Sequence, residues 1–330
     1  MKRDLEWWRM AMVCCCLILA AGFTDAAAAP EKLKVMASTF PVHQITRNLV
    51  AGSHTVETAL LIPAQLGCPH DYVLTPQDLR QLAGTDVLII NGLGMEEFLE
   101  SLLEKAGRNL KIIDSSAGIT ETLPYKNAEH GYGTDETGHS EALDSDKQHA
   151  YSHHKSGGVN PHLFASPRMA ARLAINIAEA LCEIDPGGTT LYTTNARAYA
   201  DKMNQLAENF AALGKKLVNN RIVTQHGVFD YLARDMGLQI VAAVQPHAGQ
   251  EPSAAEMLEL VETIKRERAG AVFTEPQYPA NISRTIARET GIAFATLDPA
   301  ANGPNHAPLD YYETIMRQNI TALGNTLGIR

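Results

Sequence analysis

The sequence predicts an α/β protein of two lobes, each a parallel sheet covered by helices, with one long helix between them. Three observations lead there. Short apolar runs alternate with amphipathic ones in both halves of the chain. At 330 residues the chain is too long for one ordinary core. A long helical pattern without proline lies between the halves, and strand–helix alternation on either side of it implies parallel sheets.

In the first half, Lys34 to Ala37, Ala59 to Ile62, Val87 to Asn91 and Lys111 to Ile113 read as strands. The helices between them are expected at Val42 to Leu49, Pro76 to Leu82 and Met95 to Lys105. In the second half, strands are expected at Ile222 to Thr224, Ile240 to Val244, Ala271 to Thr274 and Ala293 to Leu297. Helices are expected at Val228 to Asp235, Ala254 to Arg266, Ile282 to Glu289 and Tyr311 to Leu327. Ser253 followed by Glu256 is a capping-box arrangement at the start of one of them. The halves share an architecture but no residue-level repeat.

Two features separate them. A polar stretch from Pro124 to Gly158, rich in Gly, Ser, Asp and His, holds too few apolar residues for a core and reads as a mobile loop. A helical pattern from Thr189 to Leu217 follows the Asp185-Pro186-Gly187-Gly188 break and contains only Gly214 as an interruption. A helix of that length spans roughly 40 Å and restricts lobe motion more than a flexible linker would. The expected organisation is a signal over 1–29, a first lobe over 30–186 that includes the 124–158 loop, a linking helix over 187–218 and a second lobe over 219–330.

Apolar residues make up 45% and charged residues 20%, the balance of a soluble globular protein. The net charge of −9 and the lack of a basic stretch exclude a phosphate backbone as partner. Lys2, Arg3 and Arg9 precede an apolar run from Met10 to Phe23, and Ala26 to Ala29 then precede Pro30. That pattern predicts a secretory signal cleaved near Ala28 or Ala29, and so a periplasmic chain. The run is short for a bilayer span, which needs about 20 residues, and a retained anchor is the alternative. Cys14, Cys15 and Cys16 lie at the start of the run, where they do not suit a lipoprotein. Removing the signal leaves Cys68 and Cys182, either paired or as two thiols.

Four positions put metal-capable side chains at strand ends or in loops, where a doubly wound sheet binds ligands. His70 lies in Gly67-Cys68-Pro69-His70-Asp71-Tyr72, and His162 in Asn160-Pro161-His162-Leu163. His226 follows Val223-Thr224-Gln225, and Asp298 follows Ala295-Thr296-Leu297 and precedes Pro299. Three imidazoles and a carboxylate suit a closed tetrahedral zinc shell. Each residue also has a structural reading: a hydrogen-bonded histidine, or turn chemistry before a proline. Spacing does not unite them, because they are spread over more than two hundred residues.

The sequence around these positions resembles the metal-specific solute-binding proteins of ABC importers, the group of ZnuA-like and TroA-like proteins. The matching pieces are Ala37-Ser38-Thr39-Phe40-Pro41, His70-Asp71-Tyr72 with Thr75-Pro76, Asn91-Gly92-Leu93-Gly94 and Asn160-Pro161-His162. They continue through Thr224-Gln225-His226, Glu251-Pro252-Ser253, Thr274-Glu275-Pro276-Gln277 and Leu297-Asp298-Pro299, in the family's order and over almost the whole mature chain. The resemblance implies two Rossmann-like lobes joined by a long rigid helix, with the metal between them on His70, His162, His226 and Asp298. It implies capture of a metal ion for a membrane permease, by a chain expected to be monomeric.

Manganese-binding relatives typically carry a carboxylate at the third position, where this chain has His226. More imidazole and less carboxylate suits Zn2+ over manganese, which prefers harder oxygen ligands. Glu275 is expected to orient a ligand imidazole, with a helix-start carboxylate as the plainer reading. Cys68, two residues before His70, is not needed to complete the shell. His130, His139, His149, His153 and His154 in the polar loop would bind zinc weakly, which suits capture or transfer, with a solvated linker carrying incidental histidines as the plainer reading. His43, His54, His247 and His306 have no motif support and read as surface or structural residues. The alternatives are a manganese-binding member of the same family, a zinc-dependent hydrolase, or an adhesin or metallochaperone that serves no importer. The chain has no His-Glu-x-x-His helix and no Gly-x-Ser-x-Gly elbow to favour the hydrolase.

Overall fold

The computed structural model describes residues 31–67, 69, 72–99, 110–125, 158–245 and 251–330. The expected signal, Cys68, His70, His247 and the five loop histidines lie outside the described residues.

The first sheet holds β1 (Leu33–Ala37), β2 (Val56–Leu60), β3 (Val87–Ile90) and β4 (Lys111–Asp114) in the order β2-β1-β3-β4. Every pairing is parallel, with Leu33 opposite Val56, Val35 opposite Val87 and Val87 opposite Lys111. The inner strand β3 reads Val-Leu-Ile-Ile because both its faces are covered, whereas edge strand β2 alternates buried and open positions. Alternate residues of β3 serve different cores. Val87 and Ile89 join the large central core, and Leu88 packs on the other face with Met36, Leu61, Leu82 and Leu99.

Two of the described helices pack on this sheet within the first half of the chain. In α1 (Phe40–Leu49) Pro41 sits in the first turn, where its missing N–H has no cost. In α2 (Pro76–Ala83) Thr75 and Asp78 form a capping box, with the Thr75 N–H donating to Asp78 Oδ2 at 2.7 Å. The helix expected over Met95 to Lys105 does not begin at Met95. Gly92, Leu93 and Gly94 have φ of 85°, 55° and 80°. This left-handed run turns the chain back on itself before a single 3-10 turn at Glu97–Leu99, beyond which residues 100–109 lie outside the described residues.

The long helix is present as α4 (Thr189–Gly214), but it is one arm of a hairpin. The other arm, α3 (Pro167–Ile184), is absent from the sequence reading. Ser166 caps it by accepting from the Met169 N–H at 3.3 Å, and Met169, Leu173, Ala174, Ile177, Ala178 and Leu181 line its buried face. A 3-10 turn at Pro186–Gly188 reverses the chain into α4, and Cys182 lies there with its Sγ 3.8 Å from the Thr189 carbonyl. The buried stripe of α4 runs Tyr192, Ala196, Tyr199, Met203, Leu206, Phe210, Leu213, in steps of three and four. It shares one core with Val35 and Ile89 of the first sheet and Ile222 and Phe273 of the second.

The second sheet holds β5 (Arg221–Thr224), β6 (Gln239–Ala243), β7 (Ala271–Thr274) and β8 (Ala293–Thr296), parallel and in the order β6-β5-β7-β8. Around it lie α5 (Asp230–Met236), α6 (Ala254–Glu267), α7 (Asn281–Thr290) and α8 (Tyr311–Leu327). Ser253 and Glu256 cap α6 as expected, with the Ser253 N–H donating to Glu256 Oε2 at 2.7 Å. In both sheets the strand order therefore switches sides between the first and third strands, all still parallel, which opens a crevice at the carboxyl ends of β1 and β3 and of β5 and β7. Hydrogen bonds join the lobes beyond the hairpin: Tyr312 Oη donates to the Phe164 carbonyl at 2.7 Å, and Arg47 Nη1 to the Ala307 carbonyl at 2.6 Å. Among the described residues no helix is long and apolar enough to cross a membrane.

Gly214 is the last residue of α4, and the position requires glycine because a Cβ there would lie 1.9 Å from the Met236 carbonyl oxygen. Gly214→Ala is therefore expected to destabilise the fold by about 1–3 kcal/mol through overpacking, outweighing its helical gain. Chemical denaturation of the metal-free chain checks this, and an unchanged or raised midpoint would contradict the close approach.

Candidate metal centre

The crevice of the second sheet is lined by the residues that leave its strands. After β5 come Gln225 and His226, and after β7 comes Glu275. Gln225 Oε1 accepts from Thr274 Oγ1 at 3.3 Å and from Ser283 Oγ at 3.0 Å, which ties the two strand ends together. His226 and Glu275 are both fully buried, and His226 Nδ1 lies 2.6 Å from Glu275 Oε1. The other carboxylate oxygen, Oε2, accepts from Gln277 Nε2 at 2.6 Å. Glu275 is not at a helix start, since α7 begins only at Asn281.

His162 approaches from the opposite side, just before a 3-10 turn at Leu163–Ala165. Asn160 organises it. Its Oδ1 accepts from the His162 backbone N–H at 3.0 Å and lies 2.8 Å from His162 Nδ1. Its Nδ2 donates to the Gly227 carbonyl at 2.7 Å and to Asp230 Oδ2 at 2.6 Å, so one amide joins His162 to the second lobe. An amide oxygen can only accept, so it places the proton on Nδ1 and leaves Nε2 as the lone-pair nitrogen. The His162 and His226 rings stand edge to face, 5.4 Å apart at 79°. Tyr125 and Phe164 pack on the first ring and Tyr278 on the second.

Asp298 follows β8 and is half-buried. Asn319 grips its backbone twice, accepting from the Asp298 N–H at 3.0 Å and donating to its carbonyl at 2.6 Å. Its Oδ1 accepts from the Ala300 N–H at 2.8 Å, so the turn chemistry suggested by Asp-Pro is present. Burial pushes its carboxyl up to about 6, the Ala300 N–H opposes that rise and the nearby charge of Glu275 adds to it.

The structure thus brings His162, His226 and Glu275 together and sets Asp298 within electrostatic reach of Glu275. His70 lies outside the described residues. Among the described residues no three His, Cys, Asp or Glu side chains surround a point where an ion would sit. Imidazole nitrogens are among the donor types that a tetrahedral zinc shell uses. His54 and His306 are exposed, and His43 is held down to about 4, first by burial and then by Arg47. None of these three joins the site. The roles of Asn160, Asn319, Tyr125 and Tyr278 were missed in the sequence. Only Asn160 left a local signal, an amide two residues before a histidine.

Two α/β lobes around a helical hairpin, with buried imidazoles from different segments meeting between them, define a metal-binding solute-binding protein. The chain belongs to the family described as "Zinc-uptake complex component A periplasmic" (ZnuA), whose model matches residues 35–326. It is 26% identical over 335 residues to the "High-affinity zinc uptake system protein ZnuA" of Bacillus subtilis, covering 98% of this chain and 99% of that protein. A Yersinia pestis protein of the same description is 27% identical over 299 residues, covering 90% and 91%. Among solved structures, the solute-binding protein FpvC of Pseudomonas aeruginosa in complex with Mn2+ matches with a TM-score of 0.74 at 25% identity, covering 90% of this chain and 99% of that one.

The raised Asp298 carboxyl has a consequence for stability. Folding favours its protonated form, so that contribution is full below the ordinary value of 3.8 and is lost as pH rises through about 6. A rise of this size corresponds to roughly 2–3 kcal/mol. Metal-free Asp298→Asn is expected to gain stability relative to the parent chain between pH 4 and pH 7. Melting temperatures across that range check it, and a gap that does not widen with pH would contradict the assignment.

Proposed function

We propose that this chain is the extracytoplasmic binding protein of an ABC importer, capturing Zn2+ on His70, His162, His226 and Asp298 and handing it to the membrane permease. The observation that carries this reading is the buried His162–His226 pair, with the Nδ1 of each ring beside a side-chain oxygen from Asn160 or Glu275. An imidazole fixed in this way directs Nε2 at the ion and loses little freedom on binding, and a carboxylate partner raises its basicity. Ionised Asp298 and Glu275 would balance the two charges of the cation, which offsets their burial.

The donor set supports zinc over manganese, since two of the described donors are nitrogens and manganese prefers oxygen. The Mn2+ complex of FpvC keeps the manganese reading as the alternative within the family. A hydrolase would need a base beside an open coordination position. Glu275, the carboxylate nearest the imidazoles, is already engaged by His226 and Gln277, which favours binding over turnover.

The polar loop has a place in this scheme. Pro124 and Val159 form an isolated bridge, and the Tyr125 N–H donates to the Gly158 carbonyl at 2.7 Å. The loop therefore leaves and returns beside His162, whose ring is 5.7 Å from that of Tyr125. This supports His130, His139, His149, His153 and His154 as a transient store that loads the main site. The chain is exported by its 1–29 signal, acts as a monomer and divides into lobes over 30–186 and 219–330 about the 187–218 helix.

Metal analysis and competition titration of the mature chain test the proposal. One zinc per chain is expected, with Glu275→Gln weakening binding about 10–100-fold and His226→Ala weakening it further. Preferential retention of manganese, or turnover of ester or peptide substrates, would overturn it. Deleting residues 129–154 is expected to slow zinc loading while leaving one tight site, and loss of that site would refute the loop's role.

A further inference from the structure

The first sheet has a crevice equivalent to the one that holds His226 and Glu275, and it too contains a buried glutamate. Glu96 lies past β3, brought back over the strand ends by the left-handed run Gly92-Leu93-Gly94. It is only 5% exposed. Its Oε1 accepts from Ser38 Oγ at 2.6 Å and from the Asn91 N–H at 2.7 Å, and its Oε2 accepts from the Gly92 N–H at 3.1 Å. One carboxylate thus clamps the ends of β1 and β3 together.

The clamp leads to the metal site. Asn91 is fully buried, and its Nδ2 donates to the Pro161 carbonyl at 2.9 Å as well as to the Gly92 carbonyl at 3.0 Å. Ser115 Oγ holds the Asn91 carbonyl at 2.9 Å, so the amide has little freedom to leave Pro161. Pro161 immediately precedes His162, and its carbonyl belongs to the peptide plane from which the His162 backbone begins. Asn160 fixes the His162 ring from one side, and Asn91 fixes its backbone from the other.

A fold that needed only a tight turn here would not require a buried charge. Burial pushes the Glu96 carboxyl up to about 7 despite its three hydrogen-bond donors, and the charge of Asp114 adds to the rise. Keeping an ionisable group where folding penalises its charged form calls for a return elsewhere. The turn is also crowded: a Cβ on Gly92 would lie 2.0 Å from Asp114 Oδ1 and 2.2 Å from Ser116 Oγ.

We propose that Glu96 is a positioning residue of the metal site, acting through Asn91 and Pro161 to set the backbone of His162. The proposal rests on the reading of His162 as a ligand, and a double-mutant cycle separates the two. Zinc affinity of the mature chain is measured by competition with a chromogenic chelator for the parent, Glu96→Gln, His162→Ala and the double variant. Glu96→Gln sets an amide N–H against the Gly92 N–H and is expected to weaken zinc binding about tenfold with one site retained. In the His162→Ala background the same change is expected to add less than twofold, because the residue it acts through is gone.

Parent-like affinity in Glu96→Gln, or an equal tenfold loss in both backgrounds, would overturn the proposal and leave Glu96 a structural residue. Should Glu96→Gln fail to fold, Asn91→Asp reports the same link, since it replaces the donor facing the Pro161 carbonyl with an oxygen. Unchanged affinity in that variant also overturns the proposal. If His162→Ala itself binds zinc like the parent, the ligand reading fails first, and the role of Glu96 falls with it.

Discussion

Two imidazoles buried between the lobes, each with a side-chain oxygen beside its Nδ1, are the constraint around which this molecule is arranged. A buried histidine is useful as a metal donor only if its tautomer and ring plane are settled before the ion arrives. Here Glu275 Oε1 lies 2.6 Å from His226 Nδ1, at the end of a neighbouring strand. Asn160 Oδ1 lies 2.8 Å from His162 Nδ1, and its Nδ2 bonds Gly227 and Asp230 across the lobes. Moving one lobe against the other would break the hydrogen bonds that tie Asn160 to the second lobe.

The helical hairpin makes that arrangement durable. A lone linking helix would leave the angle between two sheets to a few contacts at its ends. Instead α3 and α4 pack along their lengths and share a core with the inner faces of both sheets. The outer faces have their own smaller cores, with Leu88 on one sheet and Val223, Val241 and Val272 on the other. The lobes are thus halves of one packed body on their inner side and separate layers on their outer side. Large hinge opening would expose the central core.

Charge follows the same plan. Asp298, Glu275 and Glu96 are carboxylates placed where water is scarce, and burial raises the carboxyls of Asp298 and Glu96. Two of the three, Asp298 and Glu275, lie in the second lobe, where the charge of Glu275 adds to the rise of the Asp298 carboxyl.

The small-scale elements of the fold are written in local residue patterns. Alternating strands and helices, the Ser253–Glu256 cap, the polar loop and the long helix were legible because each depends on residues a few positions apart. The candidate ligands were legible as an ordered set of short motifs. The helix over Pro167–Ile184 also had its signal, a Ser166-Pro167 start and apolar steps of three and four, and it went unread. The start of the helix expected from Met95 gave way to three consecutive left-handed residues, with Glu96 accepting from the Asn91 and Gly92 N–H groups. Only the tertiary structure set Glu275 Oε1 beside His226 Nδ1 and tied Asn160, whose Oδ1 lies beside His162 Nδ1, to the second lobe. Asn160 reaches Gly227 and Asp230 at separations of 67 and 70 residues. No local pattern encodes such a contact, because it exists only once two sheets have been set against one shared core.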